Sequence, residues 1–555
     1  MQDRTLKIII LLIIPMVLYL LPLPFTPLME PDEGRYSAIP NEMNTTGDYV
    51  TPRLKGAVYF EKPPLSYWAT ALSFKVFGKN EFASRLFVAL CAWGCILLTY
   101  RAGLFFHDAR EGLYGAAVLS TFLFHAAIGR INILDMPLAL FVCLSIWCGF
   151  RYFAADRRSR KWIYLCYLFS ALAFLTKGLI GIAFPFGVVA VWLWFSGRWR
   201  DSLRLFSPVG IVIFLAVSMP WLILVQRENP DFFRFFFIQE HFLRYATRMH
   251  DRYQPFYFFI PVVLAGTLPW CAFLPEAMGF LKKGEKAGFG IVEKRLLWTW
   301  AGLIFLFFSI SSSKLIPYIA PVFPPLALFC GRMFRIYEDD LQSRGDRKGP
   351  PFARRIPVVL QSVLFAAVLV APLFLEKYRL EWSGWWPWIV FPALMLVLIN
   401  VIPNRVRRKW GRGWFLAAYL IFSAFIFSVT FPVSVYMTPY KSAYPISQAI
   451  QTFVPEGAKV YQYGMSLYGI DFYTGMRTPI VDDIGEVRYG SEQLPKEERE
   501  RYFLNSPSFF KLLKEEKGAV YCATEAGERL EDLKKEIPDL TVMWHNTAYY
   551  LLKLK

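Results

Sequence analysis

The chain has 555 residues, of which 55% are hydrophobic, 18% aromatic and 19% charged, and a mean hydropathy of +0.35. In a chain of this length that balance implies an integral membrane protein. The net charge of +18 excludes nothing by itself, but Arg and Lys sit in short links between apolar runs, so they read as topology signals and headgroup contacts and not as a nucleic-acid face.

The first apolar run, 8–24, follows Arg4 and Lys7. Pro22, Pro24 and Pro27 stand where a small-residue cleavage site would lie, which favours a retained first transmembrane helix, N-terminus inside, over a signal peptide. The loop that follows, about 25–81, carries two charged motifs, PDEGRY (Pro31 to Tyr36) and YFEKPP (Tyr59 to Pro64). Ionisable groups at a membrane edge are costly and mark function by default. Between and after the motifs, IPNEMNTTG and LSYWATALSFKVFG read as helices lying at the interface, with Tyr67, Trp68 and Phe74 as their aromatic anchors.

Further runs near 82–106, 112–128, 134–154, 162–176, 179–196, 206–225, 257–274, 296–311, 315–334, 356–375, 386–402 and 414–432 are long enough to span a bilayer, roughly thirteen helices in all. Only Thr176, Lys177 and Gly178 separate the pair within 162–196. With the N-terminus inside, the inside loops hold Arg157, Arg158, Arg160 and Lys161; Arg198, Arg200 and Arg204; Lys282, Lys283 and Lys286; Arg354 and Arg355; and Arg405, Arg407, Arg408 and Lys409. The outside links are poor in net positive charge, and this alternation supports the count. An odd number of spans places the C-terminal tail outside. A second long outside loop, about 226–256, is aromatic and charged together.

From Pro432 the composition changes. KVYQY and AVYCA read as short strands, and PSFFKLLKEEK and GERLEDLKKEI as helices. The expected organisation is a transmembrane domain over 1–432 and an external soluble α/β domain over 433–555. Seven of the eight cysteines (Cys91, Cys95, Cys143, Cys148, Cys166, Cys271 and Cys330) fall in apolar runs as small hydrophobes, and Cys522 stands in the tail. They form no disulfide framework or metal spacing.

Each outward polar group has a bland reading beside the functional one. Asp32 and Glu33 suit a helix N-terminus, and Asp135, in GRINILDMPL, suits a helix cap. Lys62, Lys177 and Lys314 at outer membrane edges suit snorkelling. Yet Arg35, Arg244 and Arg248 join them at one face, and Arg forks and Lys point charges both suit phosphate oxygens. Glu61 and His241 are of the types that ligate zinc, although two ligands do not define a site.

At these residues the chain resembles a known family. PDEGRY, GDYVTPRLKG and YFEKPPLSYW are similar to the first external loop of the bacterial aminoarabinose transferases. The similarity runs on in order through ILDMPLALF, FLTKGLIG, MPWLILVQREN, FFIQEHFLRY, VVLAGTLPW and KLIPYIAPVFPPLA, covering about 30–335. Those enzymes move 4-amino-4-deoxy-L-arabinose from undecaprenyl phosphate to lipid A phosphates, and belong to the protein O-mannosyltransferase-like group with the GT-C fold. The resemblance implies a GT-C-like α-helical polytopic protein of the bacterial inner membrane, N-terminus cytoplasmic and C-terminal α/β domain periplasmic. Its partners would be a polyprenyl-phosphate-sugar donor, a lipid A or other glycan or protein acceptor, and the bilayer, with no nucleic acid. By position, Asp32 matches the acid of the first-loop catalytic motif, with Glu33 beside it, and Asp135 a second acid of the cavity. Arg35 and Lys62 match groups that hold the carrier phosphate, joined by Arg244 or Arg248. Glu61 and His241 match a metal-binding pair, with zinc the implied ion. Tyr59 and Tyr318 would line the cavity, and Lys177 and Lys314 complete the substrate-binding set.

In that reaction negative charge grows on the leaving phosphate, and fixed cations accelerate the step. A hydroxyl acceptor needs a general base, for which Asp32 stands ready; a phosphate acceptor does not. Two rivals remain: transfer to protein hydroxyls or another lipopolysaccharide position, and a lipid or sugar transporter. Against the transporter, the charges gather at one face and no matched pair of broken hydrophobic segments divides the chain into halves.

Overall fold

The uncharged stretch between Lys7 and Glu30 builds the first apolar helix, Arg4–Phe25, whose mean hydropathy is 2.7. Wide π turns, Ile9–Ile13 and Met16–Leu20, flank Pro15, which lacks the N–H that a regular helix requires there. The computed structural model describes residues 2–154, 159–237, 254–279, 291–344 and 413–555. Among the described residues, five helices are long and apolar enough to cross a membrane: Arg4–Phe25, Glu81–Phe106, Asp135–Ala154, Pro208–Glu228 and Ile316–Asp339. The expected spans 356–375 and 386–402 lie outside the described residues.

Several expected spans are broken. The run 112–128 divides into Ala109–Ser120 and Leu123–Ile128. At the break the amide of Leu123 donates to the carbonyl of Leu268 (2.9 Å), and Trp270 Nε1 donates to Thr121 Oγ1 (2.8 Å). Irregular backbone is tolerated at membrane depth when protein groups satisfy it in this way. The run 257–274 stops being regular after Phe259–Gly266, just before Pro269. Pro317 and Pro321 turn the start of 315–334 into a 3-10 segment, Ile316–Val322, before Phe323–Arg344 continues. The pair within 162–196 is two helices, Arg160–Lys177 and Ile180–Phe195. Gly178 ends the first with φ +81°, a left-handed position that favours glycine.

The loop after the first apolar helix is well structured. Asp32–Thr46 and Leu65–Phe77 are helices, joined through a small hairpin of β1 (Arg53–Leu54) and β2 (Ala57–Val58). At the far end of Glu81–Phe106, ion pairs tie Ala109–Ser120 to Phe323–Arg344: Glu111 with Arg332 (2.7 Å) and Asp108 with Arg335 (2.7 Å).

Beyond the long helix Gly413–Lys441, a six-stranded sheet runs in the order β5-β4-β3-β6-β8-β7. Its strands are β3 (Lys459–Tyr463), β4 (Ile480–Val481), β5 (Phe503–Leu504), β6 (Val520–Glu525), β7 (Thr541–His545) and β8 (Tyr549–Lys553). KVYQY is β3 and AVYCA opens into β6, paired in parallel at the sheet centre. Alternate residues of these strands face two cores. Val460, Tyr521, Ala523 and Leu551 pack with Tyr444–Phe453, while Tyr461, Cys522 and Leu552 pack with Phe509 and Leu533. This alternation is the period-two signature of a strand covered on both faces.

Candidate active site

Asp32 begins the loop helix, and its carboxylate pairs with Arg35 one turn on. The Arg35 guanidinium is 4% exposed and lies over the rings of Tyr36 (4.8 Å) and Tyr59 (5.9 Å). Its other edge meets Glu486, which comes from the 3-10 turn Gly485–Val487 of the C-terminal domain and also accepts from Tyr59 Oη (3.3 Å). A cation held between two carboxylates and two π faces is fixed in orientation, with its charge compensated by its neighbours.

Glu33 points elsewhere. It is 1% exposed and accepts from Arg85 Nε (2.7 Å) and Nη2 (2.6 Å), and from the amides of Asn132 (2.8 Å) and Met29 (3.0 Å). Both oxygens are thus engaged in fixing the loop helix to Glu81–Phe106. Gly34 sits where a Cβ would fall 2.3 Å from Glu30 Oε1, so a larger residue there would push the Glu30 carboxylate aside.

Asp135 is the first residue of its helix, and its Oδ1 lies 2.6 Å from Lys177 Nζ. The lysine ammonium rests over the Tyr318 ring at 4.6 Å. Lys62 donates to the Glu61 carbonyl (2.8 Å), with its ammonium 3.7 Å from the Glu61 carboxylate. Lys314 donates to the carbonyls of Gln254 (2.8 Å) and Ser311 (2.6 Å), holding a turn. Arg244, Arg248 and His241 lie outside the described residues.

Tyr36 feels the charges of several of these groups. Burial raises its hydroxyl pKa; Arg35 opposes this, and the charges of Asp32, Glu61 and Asp135 add to it. Four of the expected site residues therefore act electrostatically on one tyrosine.

A family model described as dolichyl-phosphate-mannose-protein mannosyltransferase matches residues 61–224. An undecaprenyl phosphate-alpha-4-amino-4-deoxy-L-arabinose arabinosyl transferase of Photorhabdus laumondii is 30% identical over 407 residues, 73% of this chain and 72% of that protein. A second so named, from Sodalis glossinidius, is 31% identical over 415 residues, 72% and 71% of the two chains. The chain belongs to this arabinosyl transferase family. A solved structure, ArnT from Cupriavidus metallidurans bound to undecaprenyl phosphate, superposes with a TM-score of 0.83 at 25% identity, covering 99% of this chain and 98% of that one. This chain therefore has the helical membrane fold of that transferase and is a membrane glycosyltransferase.

Within the family frame, sequence reasoning missed Glu486, Tyr36 and the supporting pair Arg85 and Asn132. Tyr36 stood inside the PDEGRY motif and Arg85 on the next helix, but nothing local to Glu486 announces that the tail reaches the loop. Among the described residues no group of three His, Cys, Asp or Glu comes together to hold a metal. Glu61 faces an ammonium, and its expected partner His241 lies outside the described residues.

Proposed function

We propose that this chain takes 4-amino-4-deoxy-L-arabinose from undecaprenyl phosphate and moves it to a lipid A phosphate at the periplasmic face of the bacterial inner membrane. The observation that carries this reading is the Arg35 guanidinium set between Asp32 and Glu486 and over the rings of Tyr36 and Tyr59, in a fold matched over 99% of its length by a transferase bound to that carrier. The finer architecture belongs to the same proposal: thirteen spans over 1–432, N-terminus cytoplasmic, and a periplasmic α/β domain over 433–555. An alkaline phosphatase fusion at the C-terminus should be active, and an inactive one would overturn this topology.

The sugar C1–O bond breaks with its electron pair staying on the carrier phosphate oxygen, while an acceptor oxygen forms the new bond to C1. Arg35 and Lys62 stabilise the charge that grows on the departing phosphate. Arg35 is already paired with Asp32 and Glu486, so the incoming phosphate exchanges with a carboxylate instead of meeting a bare cation. Asp135, oriented by Lys177, and Asp32 stand at the reacting centre, where they align the acceptor or stabilise positive charge on the sugar. A lipid A phosphate is largely ionised at pH 7, its second pKa being about 6, and attacks without a strong base. Glu33 supports this centre from behind. Glu61 with His241 are the residues that would hold a divalent metal such as zinc, which would supply further positive charge.

The test is transfer in detergent with purified protein, together with mass spectrometry of lipid A from cells with and without the gene. Aminoarabinose on lipid A phosphate is expected only with the gene. The mannosyltransferase model over 61–224 favours a second reading, a protein hydroxyl acceptor; sugar on protein with lipid A unmodified would select it.

A further inference from the structure

The chain leading from β2 into the second charged motif is gripped by one short segment of the C-terminal domain. Gly490 abuts β2 so closely that a Cβ would lie 2.0 Å from the Val58 carbonyl. Glu486 takes the Tyr59 hydroxyl. Phe60, next in line, is 3% exposed and meets Tyr489 (ring centroids 6.4 Å apart), Phe232 edge-on (5.2 Å) and Phe235 (6.4 Å). Tyr489 stacks on Phe235 at 4.0 Å and 28°, and Phe232 packs against Trp221 at 5.3 Å. Three consecutive residues, Val58, Tyr59 and Phe60, are thus each held by one residue of 486–490. The next two are Glu61 and Lys62.

We propose that Tyr489 is a positioning residue for the phosphate-holding edge of the site, acting through Phe60 on Glu61 and Lys62. This rests on the reading of Lys62 as a phosphate ligand given above. Offset and edge-to-face aromatic contacts have defined geometry. A backbone anchored at Phe60 therefore holds the lysine stem in one direction and lowers the entropy lost when phosphate binds. Without the ring, the binding-competent arrangement is a smaller fraction of the ensemble, and apparent affinity falls by that fraction.

The experiment uses the full-length protein in detergent with Tyr489→Ala, Tyr489→Phe and Phe235→Leu, which weakens the same contact from the membrane domain. Hydrogen exchange of the amides of Tyr59, Phe60, Glu61 and Lys62 is measured without ligand, and binding is measured with undecaprenyl phosphate itself. Tyr489→Ala and Phe235→Leu should raise exchange across these residues at least about tenfold, while Tyr489→Phe matches wild type. Carrier affinity and donor KM should worsen about tenfold in the first two variants, with kcat within about threefold. Unchanged exchange, or unchanged carrier affinity, in both Tyr489→Ala and Phe235→Leu overturns the proposal. Failure of wild-type protein to bind the carrier overturns the functional reading instead, since exchange still reports whether Tyr489 holds the strand.

Discussion

Lys177 Nζ lies 2.6 Å from Asp135 Oδ1, so the last residue of one helix is tied to the first residue of another. An acid at a helix N-terminus and a base at a C-terminus each suit the local dipole, and the pair is mostly buried. Asp135→Asn and Lys177→Met should each lower turnover at least about tenfold. If the pair were only a helix tie, removing both charges would restore activity. The expected result is that the double variant recovers thermal stability but not transfer, read from the four-protein cycle.

Lys62→Ala should lower transfer at least tenfold, about 1.4 kcal/mol of transition-state stabilisation, with normal protein yield. Steady-state kinetics on purified protein checks this, and wild-type turnover would remove Lys62 from the site.

Asp32→Asn keeps the side-chain shape and removes the charge paired with Arg35. With a phosphate acceptor the variant should retain partial activity. The acid-side fall of wild-type kcat/KM should then track the acceptor's second ionisation, near about pH 6. With a hydroxyl acceptor the variant should be inactive at every pH. A fully active variant would leave Asp32 as a helix-terminal acid only.

Glu33→Gln is expected to act on folding before chemistry. It leaves the Arg85 guanidinium, buried and hydrogen-bonded to both Glu33 oxygens, without its counter-charge. Breaking such a pair costs roughly 3–5 kcal/mol. Yield and melting temperature should drop, while any protein that folds should retain Asp32-dependent turnover.

Glu30 provides a pH dependence. Its Oε1 accepts from the Gly469 amide at 2.5 Å, and burial raises its pKa from 4.5 to about 8, against the pull of the Gly469 amide, Arg35 and Lys55. The folded state therefore binds more protons than the unfolded chain between these values. The stability it contributes is complete below about pH 4.5 and is lost as pH rises toward about 8. Glu30→Gln should melt level with wild type near pH 5 and at least roughly 2 °C above it at pH 8.5, measured by thermal unfolding in detergent.

The parts of this molecule legible in sequence were those with a local signal. Apolar runs marked the long apolar helices among the described residues, and the polar strings PDEGRY and YFEKPP marked the loop that carries Asp32, Arg35 and Lys62. Gly178 marked the break between two helices. The breaks at Thr121 and near Pro269 were harder, because each depends on a hydrogen bond to the other: Leu123 to Leu268 and Trp270 to Thr121. Glu33 looked like Asp32 in sequence, and only Arg85 tells them apart. Strands β4 and β5 are two residues each, too short for any periodicity to appear. Glu486 was invisible for a different reason: it reaches the site from a distant part of the chain, and long-range contacts leave no pattern in a single sequence.

The hairpin between the two loop motifs ends at Lys55, which takes φ +53° and reaches into the tail. There its ammonium donates to both oxygens of Asp471 (2.8 and 2.7 Å) and to the Thr478 carbonyl (2.9 Å). Burial lowers its pKa, and Asp471 works against that. Lys55 and Asp471 are therefore a lock and key written in separate halves of the chain, and neither can be exchanged alone. A chimera that takes its C-terminal domain from a relative must take the hairpin tip from the same relative, or it will bury a charge facing nothing. Domain swaps should be cut with residues 52–58 travelling alongside the tail.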